Sequence, residues 1–300
     1  MKNLLDISKK VKIALKSGKP VLALESTIIS HGMSYPKNVE TTHSLFRIAK
    51  SFGVTPALVA IINGKIKIGL NSKEIENFAM DKNVQKVSRQ NLIQVLYKKQ
   101  NGSTTVAATM IIANMVGIKT FSTGGIGGVH RFAQESFDIS QDLIEFTKTP
   151  VVVICAGAKA ILDIPKTVEY LETMGVPLFG YKTSKLPLFY SATSSIPISK
   201  VNSAKEIVEI FNLSKKIGLG CGMLVANPIP KVYELNIDNE IENAVEKAKS
   251  LKITGSDMTP FLLGELESSS CGRSLAANIR LIENNVVVGC KIAKEFSKKR

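Results

Sequence analysis

The run Val151–Ala156, VVVICA, constrains this chain more than any other feature. Side chains alternate between the two faces of a strand, so six consecutive apolar residues require both faces to be covered. Such a strand belongs inside a parallel sheet with helices packed on either side, and the flanking segments supply them. The pattern predicts a helix ending over Val11–Lys16 and stopped at Gly18-Lys19-Pro20, a strand over 21–27, a helix over 36–53 and a strand over 55–64. It continues with a helix over 103–117 opening on Ser/Thr caps, a strand over 119–123 and a glycine-rich loop, GGIGG, at 124–128. Beyond Val151 come a helix over 160–174, a strand over 176–181, a helix around 203–216, a strand over 222–228 and two C-terminal helices. The segment IKIGL at 66–70 follows the preceding strand closely enough to form a hairpin, which makes the sheet mixed. The predicted class is α/β: a layered α/β/α domain with a central mixed sheet, spanning residues 1–300 as a single domain.

Composition excludes several function classes. With 44% hydrophobic and 21% charged residues the chain is neither disordered nor a membrane protein, and its apolar runs are too short or too interrupted to span a bilayer. The N-terminal segment carries lysines and an aspartate without an apolar core, so it is not a secretory signal, and the expected compartment is the cytoplasm. Cysteines 155, 221, 271 and 290 form no C-x-x-C pair and read as reduced, mostly apolar side chains. The net charge of +14 comes from dispersed lysines, with pairs at 9–10, 98–99, 215–216 and 298–299. It lacks the dense basic run and interleaved aromatics of a nucleic-acid binder, and suits anionic metabolites equally well. No nucleic-acid or membrane partner is expected.

In α/β sheets ligands gather outside the carboxyl ends of the strands, so polar residues just after strands are the candidates. Glu25, the loop STGGIGGVHR at 122–131, Lys159 and Asn227 all occupy such positions. Lys159 stands on the short turn after the buried run. Near apolar walls its charged form would be disfavoured and the neutral amine would become a nucleophile; alternatively, its stem lies over the strand end with the ammonium in water. Gly157 and Ala158 leave room for a substrate to approach. Glu25 could serve as a general acid, or simply pair with a neighbouring lysine. His130, beside Arg131 on the glycine-rich loop, is a better substrate contact than His31, which could cap a turn with Gly32, or His43 within a predicted helix. The glycine-rich loop matches no complete phosphate-binding motif. Asp138, Ser140 and Asp142 alternate in FDISQD and could together hold a hard divalent cation, while Ser140 also reads as a helix N-cap. Lys86, Ser88 and Arg89 could meet a phosphate or lie in solvent.

The strings VLALESTIISHGMSYPKN, KVSRQNL, GSTTVAATMIIA, FSTGGIGGVHR, FDISQDL, VVVICAGAKAILDIPKTVEYLETMGVPLFGY, LVANPIP and TPFLL occur in this order. Together they closely resemble the pseudouridine-5'-phosphate glycosidase family, over nearly the whole chain. The resemblance implies reversible cleavage of the carbon–carbon glycosidic bond of pseudouridine 5'-phosphate to uracil and ribose 5-phosphate. It further implies an α/β/α fold, a divalent cation, usually manganese (Mn2+), and a homotrimer. By position, Glu25 matches the proton donor, Lys159 the nucleophile and Asp138 the metal ligand. Lys86, Val106, Ser140, Gln141 and Asp142 match substrate-contacting positions, and His130 and Asn278 match further active-site residues. A covalent lysine adduct suits this reaction because the leaving atom is a carbon, which the paired carboxylates of ordinary sugar hydrolases would not release. A Schiff-base aldolase or lyase on another phosphosugar would use the same lysine without a pocket for uracil, and a basic RNA-binding module would leave Glu25 and Lys159 unexplained.

Overall fold

The computed structural model describes residues 4–251, 253 and 258–298. Lys299 of the terminal lysine pair and residues 1–3 of the N-terminal segment lie outside them. Among the described residues, eleven strands join in one sheet. They are β1 (Leu5–Ile7), β2 (Val21–Leu24), β3 (Thr55–Ile62), β4 (Lys65–Ile68), β5 (Gln85–Val87), β6 (Gly102–Thr104), β7 (Thr120–Ser122), β8 (Val152–Cys155), β9 (Leu178–Tyr181), β10 (Ser199–Val201) and β11 (Met223–Ala226). The main path runs β1-β4-β3-β2-β7-β8-β11-β9-β10, with β6 joining β3 and β5 joining β6. The expected hairpin is present, since β3 pairs antiparallel with β4, and also with β6; the other pairs are parallel. The sheet is therefore mixed, and it is sandwiched by helices.

The apolar run fills the middle of this sheet for the anticipated reason. Val152 and Ile154 of β8 pack on one face with Val208 and Phe211 of helix Ala204–Lys216 and with Val288 and Ile292 of helix Arg273–Ser297. Val153 and Cys155 face the other way, into the larger cluster that includes Met110 of helix Val106–Met115 and Phe146 of helix Gln141–Phe146. No helix among the described residues is long and apolar enough to cross a membrane.

Several predicted boundaries move, each through a named competitor. The strand predicted over 21–27 ends at Leu24, and Thr27–Ser30 forms a short helix. The helix predicted over 103–117 starts at Val106, capped by the Thr105 side chain, while residues 102–104 become β6 because β3 offers them an open edge. The helix predicted over 160–174 starts at Ile164, where Asp163 caps it and Pro165 fits its first turn. Three helices, Asp238–Ser250, Met258–Ser269 and Arg273–Ser297, replace the two predicted at the C-terminus.

One edge of β3 creates the opening for a site. Residues 55–58 of β3 pair with β2 along that edge, and residues 60–61 pair with β6, so β2 and β6 occupy successive stretches of it. Where β2 departs, the Ser26 hydroxyl accepts the Thr104 N–H at 2.9 Å, and the Thr104 hydroxyl donates to the Val59 carbonyl at 2.8 Å. This buried seam replaces ladder bonds the diverging strands cannot make.

The long C-terminal helix braces the opposite side of the opening. Asn285 is fully buried; its amide donates to the Thr123 carbonyl at 2.8 Å, and its side-chain oxygen accepts from Asn227 at 2.9 Å. It thereby ties the chain after β7 to the chain after β11. Asn285→Ala would leave these buried polar groups unpaired, at a cost of about 3 kcal/mol. A urea titration should show a lower midpoint with an unchanged slope.

Candidate active site

The carboxyl ends of β2, β7 and β8, the β5–β6 arm and the last two helices enclose a cavity of about 620 Å3. All ten residues assigned by the resemblance line it: Glu25, Lys86, Val106, His130, Asp138, Ser140, Gln141, Asp142, Lys159 and Asn278. They come from segments more than 250 positions apart in the chain, brought together by the sheet.

Glu25 follows the last residue of β2 and is only 8% exposed. One carboxylate oxygen accepts from the Thr27 hydroxyl and the other from the Thr123 hydroxyl. Burial pushes its carboxyl above the ordinary glutamate range, against the opposing pull of the Lys159 charge and of the two threonine hydrogen bonds. Lys159 is half-buried on the turn after β8, where its backbone N–H donates to the Ile126 carbonyl at 3.1 Å. Its surroundings are more polar than the sequence suggested, because Lys86, His130, Glu25 and Asp142 share the cavity. Burial, followed by the neighbouring Lys159 charge, lowers the Lys86 amine below the ordinary lysine range.

The turn itself is built differently from the expectation. Gly157 has φ 95°, a left-handed value that favours glycine, and a Cβ there would lie 2.4 Å from the Pro187 carbonyl oxygen. The space at Gly157 is thus filled by protein rather than kept for substrate. Part of the glycine-rich loop is likewise committed to the protein. The N–H groups of Ile126, Gly127, Val129 and His130 donate to Gly157 O, Asp142 Oδ2, Thr167 Oγ1 and Asp138 O.

Asp142 organises this region. Its carboxylate accepts the Ala107 N–H at 2.9 Å and the Gly127 N–H at 2.8 Å, joining the start of helix Val106–Met115 to the glycine-rich loop. Ser140 caps helix Gln141–Phe146 by accepting the Asp142 N–H, and Asp138, Ser140 and Asp142 all line the cavity. Arg89, a candidate phosphate contact, instead forms a two-pronged pair with the fully buried Glu145, at 2.5 and 2.9 Å. Gln141 is joined by two hydrogen bonds to Gln90. These contacts fix the segment carrying Lys86 and Ser88 against the segment carrying Asp138 and Ser140.

Asp138 remains available at the cavity wall, with its Oδ2 3.8 Å from His130 Nδ1. Burial lowers the His130 pKa, with Lys159 and Lys86 pushing the same way and Asp138 opposing them. Among the described residues no group of three or more His, Cys, Asp or Glu side chains could hold a metal. A cation here would rely on fewer than three such side chains, with Asp138 the one the family resemblance assigns. That donor set suits a hard divalent ion, which keeps several waters and binds through one or two carboxylates and substrate oxygens.

Sequence reasoning missed Thr27 and Thr123, whose hydroxyls gain meaning only once Glu25 is placed between them. It also undervalued His31, which lines the cavity with Nδ1 2.7 Å from Ser30 Oγ and 3.1 Å from Ser103 Oγ.

Residues 10–295 match the family described as indigoidine synthase A like protein. A pseudouridine-5'-phosphate glycosidase from Petrotoga mobilis is 53% identical over 297 residues, covering 98% of this chain and 97% of the relative. The chain belongs to the pseudouridine-5'-phosphate glycosidase family. The crystal structure of an indigoidine synthase A-like protein from Thermotoga maritima superposes with a TM-score of 0.91 at 33% identity, covering 98% of this chain and 97% of that one. The prealnumycin C-glycosynthase AlnA, solved in complex with ribulose 5-phosphate, superposes at 0.90 with 32% identity and the same coverage. The shared architecture thus spans nearly the whole chain.

The raised Glu25 pKa carries a stability signature. The folded state binds this proton more tightly than the unfolded chain does, so stability falls as pH rises from the ordinary glutamate range to the folded value. Glu25→Gln removes that penalty. Its urea midpoint should gain on the wild type as pH rises above the ordinary glutamate range.

Proposed function

We propose that this chain is a pseudouridine-5'-phosphate glycosidase that reversibly converts pseudouridine 5'-phosphate and water to uracil and ribose 5-phosphate. The observation that carries the reading is the buried carboxyl of Glu25 sharing one cavity with the amine of Lys159, in a chain with a glycosidase of that name as a 53% identical relative. A structural neighbour that is a C-glycosynthase, solved with a phosphopentulose, supports a five-carbon sugar phosphate as ligand and carbon–carbon bond chemistry at this site.

The reaction must break a bond to carbon, so protonating the leaving base directly is of little help. In the proposed path Glu25 protonates the ribose ring oxygen, the ring opens, and the Lys159 amine forms a bond to C1'. The ammonium proton returns to Glu25. The nitrogen lone pair then expels uracil as its C–C bond breaks, with Glu25 delivering the proton to the uracil carbon. Water adds to the remaining imine and releases ribose 5-phosphate and free Lys159. Burial of Glu25 supports the acid role, because a carboxyl held above its ordinary range keeps its proton to higher pH than a free glutamate does.

Lys86, with Val106, Ser140 and Gln141, is proposed to bind the substrate, and His130 and Asn278 to complete its contacts. Asp142, also among the proposed substrate contacts, would in addition hold the glycine-rich loop against helix Val106–Met115, since each of its oxygens accepts a backbone N–H. Asp138 would hold a water-rich divalent cation, manganese by the family resemblance, which would supply positive charge to orient anionic substrate oxygens.

Uracil release from pseudouridine 5'-phosphate tests this reading. Lys159→Ala should lower the rate by on the order of 10³-fold or more, and undiminished activity would overturn the site assignment. Borohydride reduction during turnover, followed by mass spectrometry, should place a reduced ribose 5-phosphate adduct on Lys159; an unmodified lysine would remove the covalent step. Asp138→Asn should raise the manganese concentration needed for half-maximal rate.

A further inference from the structure

We propose that the Thr27 hydroxyl relays the proton between Glu25 and the substrate, while Thr123 holds the opposite carboxylate oxygen and orients the acid. The inference rests on the proposed acid role of Glu25 and deepens it. Its basis is an asymmetry in how the two threonines are placed.

Both hydroxyls donate to Glu25 when it is ionised, Thr27 to Oε2 and Thr123 to Oε1. Each hydroxyl has one hydrogen, and a protonated carboxyl must itself donate to something. When the carboxyl hydrogen is directed at one of the two threonines, that threonine turns its own hydrogen away and accepts. Thr123 also borders the cavity but is only 1% exposed, and its hydroxyl has no acceptor other than Glu25 among the described contacts. Turning it would leave a buried donor unpaired, at a substantial penalty. Thr27 is half-buried, lines the cavity and opens the short helix Thr27–Ser30, so its hydrogen can swing into the cavity toward water or substrate. In the acid form the carboxyl proton accordingly sits on Oε2 and points at Thr27 Oγ1.

Proton delivery then balances without a free intermediate. The Oε2–H bond breaks as that proton bonds to Thr27 Oγ1, and the original Thr27 O–H bond breaks as its proton bonds to the substrate oxygen. Thr27 is left as a neutral hydroxyl and Glu25 as a carboxylate, again held by two donors. Thr27 on this account is a catalytic residue, whereas Thr123 is a positioning residue.

Single-turnover uracil release separates the roles. Thr27→Val keeps the side-chain shape but has no hydroxyl, and should slow release by about 10²-fold, a typical share for general acid catalysis, with KM little changed; Thr27→Ser should restore most of the rate. Thr123→Val removes a donor to the carboxylate, which should move the alkaline limb of the pH–rate profile to higher pH with a smaller loss of rate. Full activity in Thr27→Val, or a rate loss that Thr27→Ser fails to restore, would overturn the relay. An exchange of the two phenotypes would overturn the assignment of Thr27. Glu25→Gln is the separate control: if it remains fully active, the acid role of Glu25 fails, whereas an inactive Glu25→Gln beside a fully active Thr27→Val removes the relay alone.

Discussion

The departure of β2 from the edge of β3 is the constraint from which the rest of the cavity follows. A strand that leaves a sheet must find new partners for its backbone groups, and a second strand that takes over the edge must do so without leaving a gap. Here the two ends are stitched by Ser26 and Thr104, with Thr109 donating to the Thr104 hydroxyl at 2.9 Å. The junction is fully buried. It places Glu25 at the floor of the opening, where a carboxyl would not be stable in its charged form without compensation. The two threonine hydroxyls and the nearby Lys159 charge provide that compensation, and burial still prevails in raising the pKa.

Around this floor, three buried polar groups hold irregular chain segments in place. Asn285 ties the ends of β7 and β11, Asp142 ties the glycine-rich loop to the start of a helix, and Glu145 ties Arg89 and the Thr149 hydroxyl. Each is buried, where a missing partner would cost more than the bond itself contributes. Loops fixed in this way behave as part of the scaffold. Side chains such as Lys86, Asp138 and Lys159 can then keep a common orientation toward the cavity although each is on or beside an irregular segment.

Much of this was legible in the residues. The apolar runs gave the strands, helical spacing gave most helices, and the rule that ligands gather beyond strand ends directed attention to Glu25 and Lys159. The ordered strings of the family resemblance named ten positions, and the sheet gathers them around one cavity. Less legible were the short elements. β5, β6 and the helix Thr27–Ser30 carry only three or four residues each, too few for a periodic signal, and exist because a neighbouring edge or turn satisfies them. For Arg89 and Gly157 the sequence left a phosphate contact and room for substrate open, because their actual partners, Glu145 and the Pro187 carbonyl, are remote in sequence.

By itself, then, the sequence determined the layered α/β class, the identity of the chemically able side chains and the family to which they belong. These are properties of local pattern and residue type: a strand buried on both faces reads as continuous apolar residues, and a lysine just after it can be seen without knowing what surrounds it. Tertiary structure decided which of those side chains face the cavity and which are held by protein. It also decided the protonation preference of Glu25 and the unequal surroundings of Thr27 and Thr123. Burial and hydrogen-bond partnership depend on segments far apart in the chain, and no local pattern encodes the distance at which they meet.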